Sequence, residues 1–259
     1  MGNSQLRNFR NTPARRPTLN ESCIVVQDTS VTIADAPILA FEGPIAIVGG
    51  GAVDPGLLVA LHRRGVVLIG ADGGADAIGA AGLVPAAIIG DLDSLQDRSG
   101  WELRTRVIHI PEQITTDFQK ALYSTQAPVT LALGMTGKRL DHTLAALSAV
   151  LQYAPTRRLL LVDEVDVALA VVGPIGFEAG RGERVSIHPL VPIRFERSSG
   201  LFYPMDGLRL EPGGLIGTSN EGTGERVEIV PADDTPWLLI LAKERLWDLV
   251  QARRSAARA

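Results

Sequence analysis

The sequence is poor in cysteine, in aromatic residues and in long apolar stretches. Cys23 is the single cysteine among 259 residues, which excludes an intrachain disulfide and fits a reducing compartment. No run of about 18 apolar residues occurs, so we expect no membrane-spanning helix. The net charge of −4 gives no strong field that would favour nucleic acid or an anionic membrane. These absences predict a cytoplasmic globular protein with no nucleic-acid and no membrane partner.

The first twenty residues contain arginines but no acidic residue. They also lack the apolar core of a secretory signal, which excludes that class of leader. An arginine-rich, acid-poor start resembles an organelle transit peptide, and a disordered arm is the alternative that we favour. We therefore predict a partly disordered N-terminal extension over residues 1–42.

Short apolar runs begin after Phe41 and alternate with segments of helical spacing. Strands that are apolar throughout and alternate with helices indicate a parallel sheet covered on both faces. This predicts a Rossmann-like α/β domain over residues 43–165. Leu140, Leu144, Leu147 and Leu151 share one stripe of a predicted helix, which we interpret as core packing.

The pattern changes near residue 166, where shorter and often alternating segments are separated by Gly, Pro and Asp-rich turns. Alternation over four to eight residues is typical of antiparallel strands with one buried face. We therefore predict an antiparallel β-sandwich domain over residues 166–259, so that the chain as a whole is an α/β domain followed by a β-sandwich.

Polar clusters follow the apolar runs of the first domain almost without exception. They are Gly49–Gly51, Asp72, Asp91 with Asp93, 112–117 and 134–141. Because parallel sheets bind ligands outside the carboxyl ends of their strands, we expect these clusters to converge at one edge.

Carboxylates dominate this predicted edge. Asp91 and Asp93, in "GDLDS", offer two hard oxygen ligands of the kind that Mg²⁺ takes, although Asp-rich turns are also common without a metal. Asp117 and Lys120 would share a helix face, either as a metal ligand with a phosphate-binding cation or as an exposed ion pair. Asp72 precedes two glycines, which suit either close approach of a phosphate or an N-cap turn.

A loop-to-helix junction, "TGKRLDHTLAAL", supplies a second basic cluster. Arg139 has the planar geometry that grips phosphate through two hydrogen bonds. Asp141 is either an N-cap or a ligand for a sugar or base, and His142 alone is more often structural than catalytic.

Five motifs then occur in one order along the chain. They are "ADGGA", "P-x-x-IIGDLDS", "TTDFQKAL", "TGKRLDHTLAAL" and the β-rich "GLFYPMDGLRLEPGGLIGTSNEGTGERVEI". In this order they resemble the thiamine pyrophosphokinase (thiamine diphosphokinase) family, from about residue 44 to about residue 245. The resemblance implies a nucleotide-binding α/β domain, a thiamine-binding β-sandwich and a homodimer whose thiamine site is completed at the interface.

The implied reaction transfers the pyrophosphoryl group of ATP to the hydroxyl of thiamine, giving thiamine diphosphate and AMP, with Mg²⁺ required. Motif matching implies a metal site of Asp72, Asp91, Asp93 and Asp117. It implies ATP contacts from Asp72, Gly73, Gly74, Lys120, Arg139 and Asp141. It implies catalytic roles for Asp91, Asp93, Asp117 and Lys120, and thiamine contacts from Ser219 and Asn220.

Some assignments stay open at this point. A carboxylate, Asp117 or Asp93, would accept the thiamine hydroxyl proton. Thiamine is an aromatic cation, so Tyr203 and Trp237 are candidates to bind it, with core or dimer packing as the alternative.

The chain departs from the family pattern at two positions. Ile114 occupies a place where the family commonly has an acid, unless Glu112 substitutes for it, and Lys138 replaces a common glycine and either adds a phosphate contact or narrows the pocket. These departures leave two alternative functions: a nucleotide- or thiamine-binding protein with weak or lost turnover, and a Mg²⁺-dependent phosphohydrolase.

Overall fold

The computed structural model describes residues 39–255, and side chains up to residue 251. Cys23 and nearly all of the predicted N-terminal extension therefore lie outside the described residues. Within the described range, no helix is both long enough and apolar enough to span a bilayer.

The α/β half contains the first eight strands and the first five helices. The strands are β1 (Leu39–Ala40), β2 (Ile45–Val48), β3 (Val67–Ala71), β4 (Ala87–Gly90), β5 (Arg106–His109), β6 (Thr125–Gln126), β7 (Thr130–Leu133) and β8 (Leu159–Val162). The helices are α1 (Pro55–Arg63), α2 (Gly74–Ala80), α3 (Arg98–Glu102), α4 (Asp117–Tyr123) and α5 (Leu140–Tyr153).

The remaining elements are mostly strands. They are β9 (Asp166–Val171), β10 (Ile175–Glu178), β11 (Arg184–Pro189), β12 (Ile193–Ser199), β13 (Arg209–Leu210), β14 (Gly217–Glu221), β15 (Arg226–Pro231) and β16 (Trp237–Ala242). A 3-10 turn at Lys243–Arg245 leads into the last helix, α6 (Leu246–Ser255).

A ten-stranded sheet forms the frame of the described structure, in the order β14-β11-β16-β9-β8-β7-β2-β3-β4-β5. Its strands from β8 to β5 are parallel, and those from β9 to β14 are antiparallel. The fully buried sequences of β2, β4, β7 and β8 explain the parallel part, because both of its faces must be covered. The predicted α/β fold class is thereby confirmed.

A four-stranded antiparallel sheet, β10-β15-β12-β13, completes the second half. Its strands alternate buried and exposed residues, as expected where one face packs on a core and the other meets water. Phe195 of β12 packs edge-on against Trp237 of β16, with ring centroids 5.4 Å apart, so the two sheets share an apolar core.

The boundary predicted at residue 165 falls in the turn between β8 and β9. These two strands pair directly, with Leu160 opposite Leu169, so the sheet's hydrogen bonding continues through the turn. The division into two domains stays a prediction.

The predicted core stripe of α5 is wrong in its first turns. Leu140 is 73% exposed and Leu144 is 55% exposed, while the helix buries Ala146, Ala149 and Val150 instead. Small residues on the buried face let the helix approach its neighbours closely. The side chains of these two leucines are therefore exposed to solvent, next to the loop that precedes the helix.

Candidate active site

A cleft of about 800 Å³ opens at the carboxyl ends of the parallel strands. It is lined by the loops after β2, β3, β4 and β7 and by the first turns of α4 and α5. The strand order reverses at β2, which has β3 on one side and β7 on the other. Ligands of open α/β sheets bind at this kind of switch point, so the predicted edge coincides with a cleft that can hold one.

Three carboxylates converge in the cleft. Asp72 follows β3, Asp91 follows β4 and Asp117 begins α4, and one oxygen of each lies within 4.8 Å of the others. Three hard oxygen donors at this spacing suit Mg²⁺, which usually takes one or two carboxylates together with water and phosphate oxygens.

Asp72 is the most buried of the three, at 4% exposure. Its Oδ2 accepts a hydrogen bond of 3.1 Å from the Ser94 amide, whereas its buried Oδ1 accepts none within the described structure. Burial raises the pKa of this carboxyl above its ordinary value of 3.8. An orphaned buried oxygen beside two further carboxylates is a place that a divalent cation fits.

Lys120 joins the other two carboxylates. Its ammonium lies 3.3 Å from Asp91 Oδ2 and 3.2 Å from Asp117 Oδ1, and its side chain is 1% exposed. Burial on its own would lower the pKa of this lysine, but the adjacent Asp117 and Asp91 outweigh it and raise the pKa. The alternative of an exposed ion pair on α4 is therefore wrong.

A capping box places Asp117 and Lys120. Thr116 is the N-cap of α4, its hydroxyl accepts the Gln119 amide, and the Gln119 side chain accepts the Thr116 amide. This reciprocal pair fixes where the helix begins. Asp117 then occupies the first helical position and Lys120 follows one turn later, so both side chains enter the cleft.

Asp93 lies outside the three-carboxylate cluster. It is exposed, and its Oδ1 accepts the Ser94 hydroxyl at 2.9 Å. Leu92 between the two aspartates has a positive φ of 66°, and its own side chain is buried. Asp91 therefore enters the cluster while Asp93 stays on the surface, and a metal-binding role for Asp93 stays a prediction.

The paired glycines after β3 differ in their surroundings. Gly73 lines the cleft and is the N-cap of α2, which rules out the predicted alternative that Asp72 is the cap. A Cβ on Gly74 would lie 1.8 Å from the Val48 carbonyl oxygen, so this glycine permits close packing of α2 on β2. Contact of Gly74 with ATP stays a prediction.

Arg139 and Asp141 are paired with each other at the entrance of α5. Arg139 Nη2 lies 2.6 Å from Asp141 Oδ2, and both side chains are about two-thirds exposed. The hydrogen bond from Arg139 lowers the pKa of Asp141 to about 2. The N-cap alternative for Asp141 is wrong, because Arg139 occupies that position. Arg139 lines the cleft, as does its neighbour His142.

Gln113 contacts the cluster, although no motif of the sequence predicts a role for it. Its Nε2 donates to Asp91 Oδ2 at 2.9 Å, and it lines the cleft. That bond and those from the Asp93 amide and Lys120 lower the pKa of Asp91, against the opposing effect of burial. No sequence signal distinguishes Gln113 from an ordinary loop residue, because its partner lies 22 positions away.

Glu112 does not replace the acid that is missing at Ile114. Its carboxylate accepts the amides of Ile114 and Thr115 at 2.7 and 3.0 Å and the Tyr123 hydroxyl at 3.1 Å. These bonds hold the turn before α4, and Glu112 is not among the cleft-lining residues. The Ile114 side chain is 69% exposed.

The predicted thiamine residues lie in the β-rich half and do not line the cleft. Asn220 of β14 is buried, and its amide group accepts from the Tyr203 amide at 3.0 Å and donates to the Tyr203 carbonyl at 2.8 Å. The Tyr203 ring is 60% exposed and meets Phe202 edge-on. Ser219 is exposed and has a positive φ of 59°. Tyr203 and Ser219 are thus exposed, and the buried Asn220 holds the Tyr203 backbone in place through two hydrogen bonds.

Trp237 takes the alternative role of core packing. It is fully buried, against Phe195, and cannot reach a ligand from that position.

The two groups of predicted residues are far apart within one chain. Strand β14 lies six strands from β2 in the ten-stranded sheet. At about 4.8 Å per strand this is roughly 30 Å, so a small molecule cannot touch both groups in the same chain.

Comparison with known proteins shows which family the cleft-bearing part of the chain resembles. A protein-family model described as "Thiamin pyrophosphokinase, catalytic domain" matches residues 60–161, which include all three clustered carboxylates. Thiamin pyrophosphokinase 1 of Caenorhabditis elegans is 30% identical over 158 residues, covering 55% of this chain and 65% of the relative. Thiamine pyrophosphokinase 1 of Arabidopsis thaliana is 29% identical over 180 residues, covering 62% and 67%. The chain thus spans about two thirds of these relatives' length.

Solved structures share the fold. Thiamine pyrophosphokinase from Bacillus subtilis superposes with a TM-score of 0.65 at 23% identity, over 78% of this chain and 99% of the other. The enzyme from Candida albicans gives a TM-score of 0.67 at 16% identity, over 78% and 89%. The family model and the curated relatives confirm the resemblance inferred from the motifs, and the solved structures confirm the fold.

Proposed function

We propose that this chain, whose residues 60–161 belong to the thiamin pyrophosphokinase catalytic-domain family, is a thiamine diphosphokinase. It transfers the pyrophosphoryl group of ATP to the hydroxyl of thiamine and releases thiamine diphosphate and AMP. The observation that carries the proposal is the cluster of Asp72, Asp91 and Asp117 beside buried Lys120, at the switch point of a parallel sheet.

The clustered carboxylates and Lys120 have different electrostatic roles: the carboxylates would bind the metal ion, and Lys120 supplies a fixed positive charge. Asp72, Asp91 and Asp117 would hold Mg²⁺, which supplies charge neutralisation and polarisation of phosphate oxygens when bound. Lys120 fixes two of these carboxylates in place and keeps a positive charge beside the transferred group. Such pyrophosphoryl transfer depends on alignment and charge stabilisation more than on covalent chemistry.

The reaction forms a bond between the thiamine hydroxyl oxygen and the β-phosphorus, and breaks the bond from that phosphorus to the α–β bridging oxygen. AMP leaves with the electron pair. Asp117 is the better placed of the two candidate bases for the hydroxyl proton, because it lines the cleft and Asp93 does not. Asp117 Oδ1 accepts hydrogen bonds from Lys120 and from the Asp91 amide, and Oδ2 accepts none within the described residues. Oδ2 would therefore take the proton while Asp72 and Asp91 hold the metal.

The thiamine side of the site comes from a second copy of the chain. The separation of roughly 30 Å between β14 and β2 prevents completion within one chain. Exposed apolar residues lie near both groups: Leu140 and Leu144 beside the cleft, and Phe202, Leu215 and Ile216 in the β-rich half. We therefore propose a homodimer in which Tyr203 and Ser219 of one chain face the cleft of the other, with the Tyr203 ring stacking on the cationic thiamine.

The deciding experiment incubates the purified full chain with ATP, Mg²⁺ and thiamine and identifies the products. AMP together with thiamine diphosphate supports the proposal. Binding without product indicates the non-catalytic alternative, and phosphate release that does not need thiamine indicates a phosphohydrolase. Asp91→Asn is the control for the site and should lower turnover by about 1000-fold, since it removes one member of a charge cluster that acts on the transition state.

Mixing two impaired variants tests the shared site. Asp91→Asn and Tyr203→Ala chains, each weak alone, should regain about a quarter of wild-type activity after subunit exchange, because half of the dimers are mixed and each mixed dimer has one intact site. No gain on mixing, with exchange demonstrated by a tagged chain, would place both residues in a site built by one chain.

A further inference from the structure

Lys138 bridges two loops at the mouth of the cleft. Its exposed ammonium donates to the Gly50 carbonyl oxygen at 3.2 Å, across 88 positions of sequence. Gly50 belongs to the loop after β2 and Lys138 to the loop after β7, and both residues line the cleft. The lysine therefore sits where a ligand would have to pass or bind.

The other basic side chains of the described cleft already have acidic partners. Lys120 is held by two carboxylates, and Arg139 is paired with Asp141. No carboxylate pairs with Lys138 among the residues that the structure describes. Its ammonium group has a neutral carbonyl as its partner, so its positive charge is not neutralised. Lys138 is therefore the cation of the described cleft that is most readily available to an anion.

The cleft lining is rich in acidic side chains, so an unpaired cation there would favour the binding of an anionic ligand. Asp72, Asp76, Asp91 and Asp117 all line the cleft, and they outnumber its lysines and arginine. A polyphosphate entering this field is repelled unless cations offset the carboxylates. An unpaired ammonium at the mouth offsets part of that repulsion before and after the ligand binds.

The loops under Lys138 are held together by backbone contacts that do not need the lysine. The Gly51 amide donates to the Gly134 carbonyl at 2.8 Å. A Cβ on Gly51 would lie 2.5 Å from the same oxygen, whereas one on Gly50 would meet no atom within 4 Å. Lys138 can therefore leave Gly50 without loosening the loops, and space for a ligand group exists beside that glycine.

We propose that Lys138 binds the polyphosphate chain of the nucleotide co-substrate, exchanging the Gly50 carbonyl for a phosphate oxygen. A hydrogen bond between two charged groups is stronger than one to a neutral carbonyl, which drives the exchange. The inference rests on the proposed function, since it takes a nucleoside triphosphate as the ligand. It makes Lys138 a determinant of triphosphate affinity in this chain.

The test is equilibrium binding of ATP with Mg²⁺ in the absence of thiamine, so that no transfer occurs. Lys138→Met, which keeps the length and removes the charge, should weaken ATP binding about tenfold, the size expected for an exposed charge-assisted bond. Lys138→Arg should bind ATP within about twofold of wild type, because the charge is kept. Lys243→Met, in the 3-10 turn of the β-rich half, is the matched control and should not change affinity.

The charge-removing variant should also lose less affinity for AMP than for ATP, and its KM for ATP should rise while the KM for thiamine stays constant. Equal ATP binding by wild type and Lys138→Met overturns the inference. Tighter binding by Lys138→Met also overturns it, because the lysine would then obstruct the cleft. If wild type itself binds no ATP, the proposed function and the inference both fail, whereas equal ATP binding by wild type and Lys138→Met overturns the inference alone.

Discussion

Replacing Lys120 by methionine should destabilise the protein most when no divalent cation is present. The substitution keeps the apolar stem and removes the ammonium that lies between Asp91 and Asp117. Without that charge, Asp72 and these two carboxylates, which have oxygens within 4.8 Å of one another, repel without compensation. Added Mg²⁺ should take over the compensation, so part of the lost stability should return.

The size of the effect follows from how far the three groups are buried. Removing one member of a fully buried ion pair costs about 3–5 kcal/mol. The Lys120 side chain is 1% exposed, but its partners are 13% and 32% exposed, so solvent relieves part of the cost. We expect a loss of about 2 kcal/mol in the free energy of unfolding, which lowers Tm by about 4–8 °C in a protein of this size.

The assay compares urea and thermal unfolding of wild type, Lys120→Met and Lys243→Met in chelator and in saturating Mg²⁺. Lys243→Met should stay within about 0.5 kcal/mol of wild type under both conditions, as for an ordinary surface change. The increase in Tm on adding Mg²⁺ should be larger for Lys120→Met than for wild type. The reasoning is refuted if Lys120→Met is as stable as wild type, or if its loss is the same with and without Mg²⁺.

Two other substitutions test the cluster and its support. Burial raises the pKa of Asp72 above 3.8, so its ionisation costs stability as pH rises through that raised pKa. Asp72→Asn should raise the Tm of the metal-free protein at pH 7 and abolish the Mg²⁺-dependent increase, and a lower Tm would contradict this. Gly74→Ala places a Cβ 1.8 Å from the Val48 carbonyl oxygen and should cost about 3 kcal/mol in urea unfolding. Gly50→Ala, which meets no atom within 4 Å, is the control and should be close to neutral.

The linear pattern of residues predicted the class of fold, because a strand that is buried on both faces is apolar at every position. "IAIV", "AIIG" and "LLLV" are buried throughout and became β2, β4 and β8 of the parallel region. The same rule predicted that Asp72, Asp91 and Asp117 would meet, since the carboxyl ends of parallel strands share an edge.

The periodicity of α5 was less informative. Leucines at helical spacing predicted a buried stripe, but Leu140 and Leu144 are exposed and alanines take the buried face. Hydrophobicity alone does not tell which of two apolar stripes faces a neighbour, because that depends on how closely the neighbour approaches.

Residue order alone predicts the set of chemical groups in the site and the edge of the sheet at which they gather. The ordered motifs from "ADGGA" to "GTSN" also indicated the family resemblance, because residue types at fixed intervals can be read directly from the sequence. The family model matches the stretch that contains the first four of them.

Which of these groups are in contact depends on the folded chain. It brought Gln113 to Asp91, separated Asp93 from the cluster, buried Trp237 in the core, and set Lys138 against Gly50. Each of these outcomes depends on a side-chain direction or a contact between distant segments. Such contacts are fixed by packing in three dimensions, and residue order alone does not specify them.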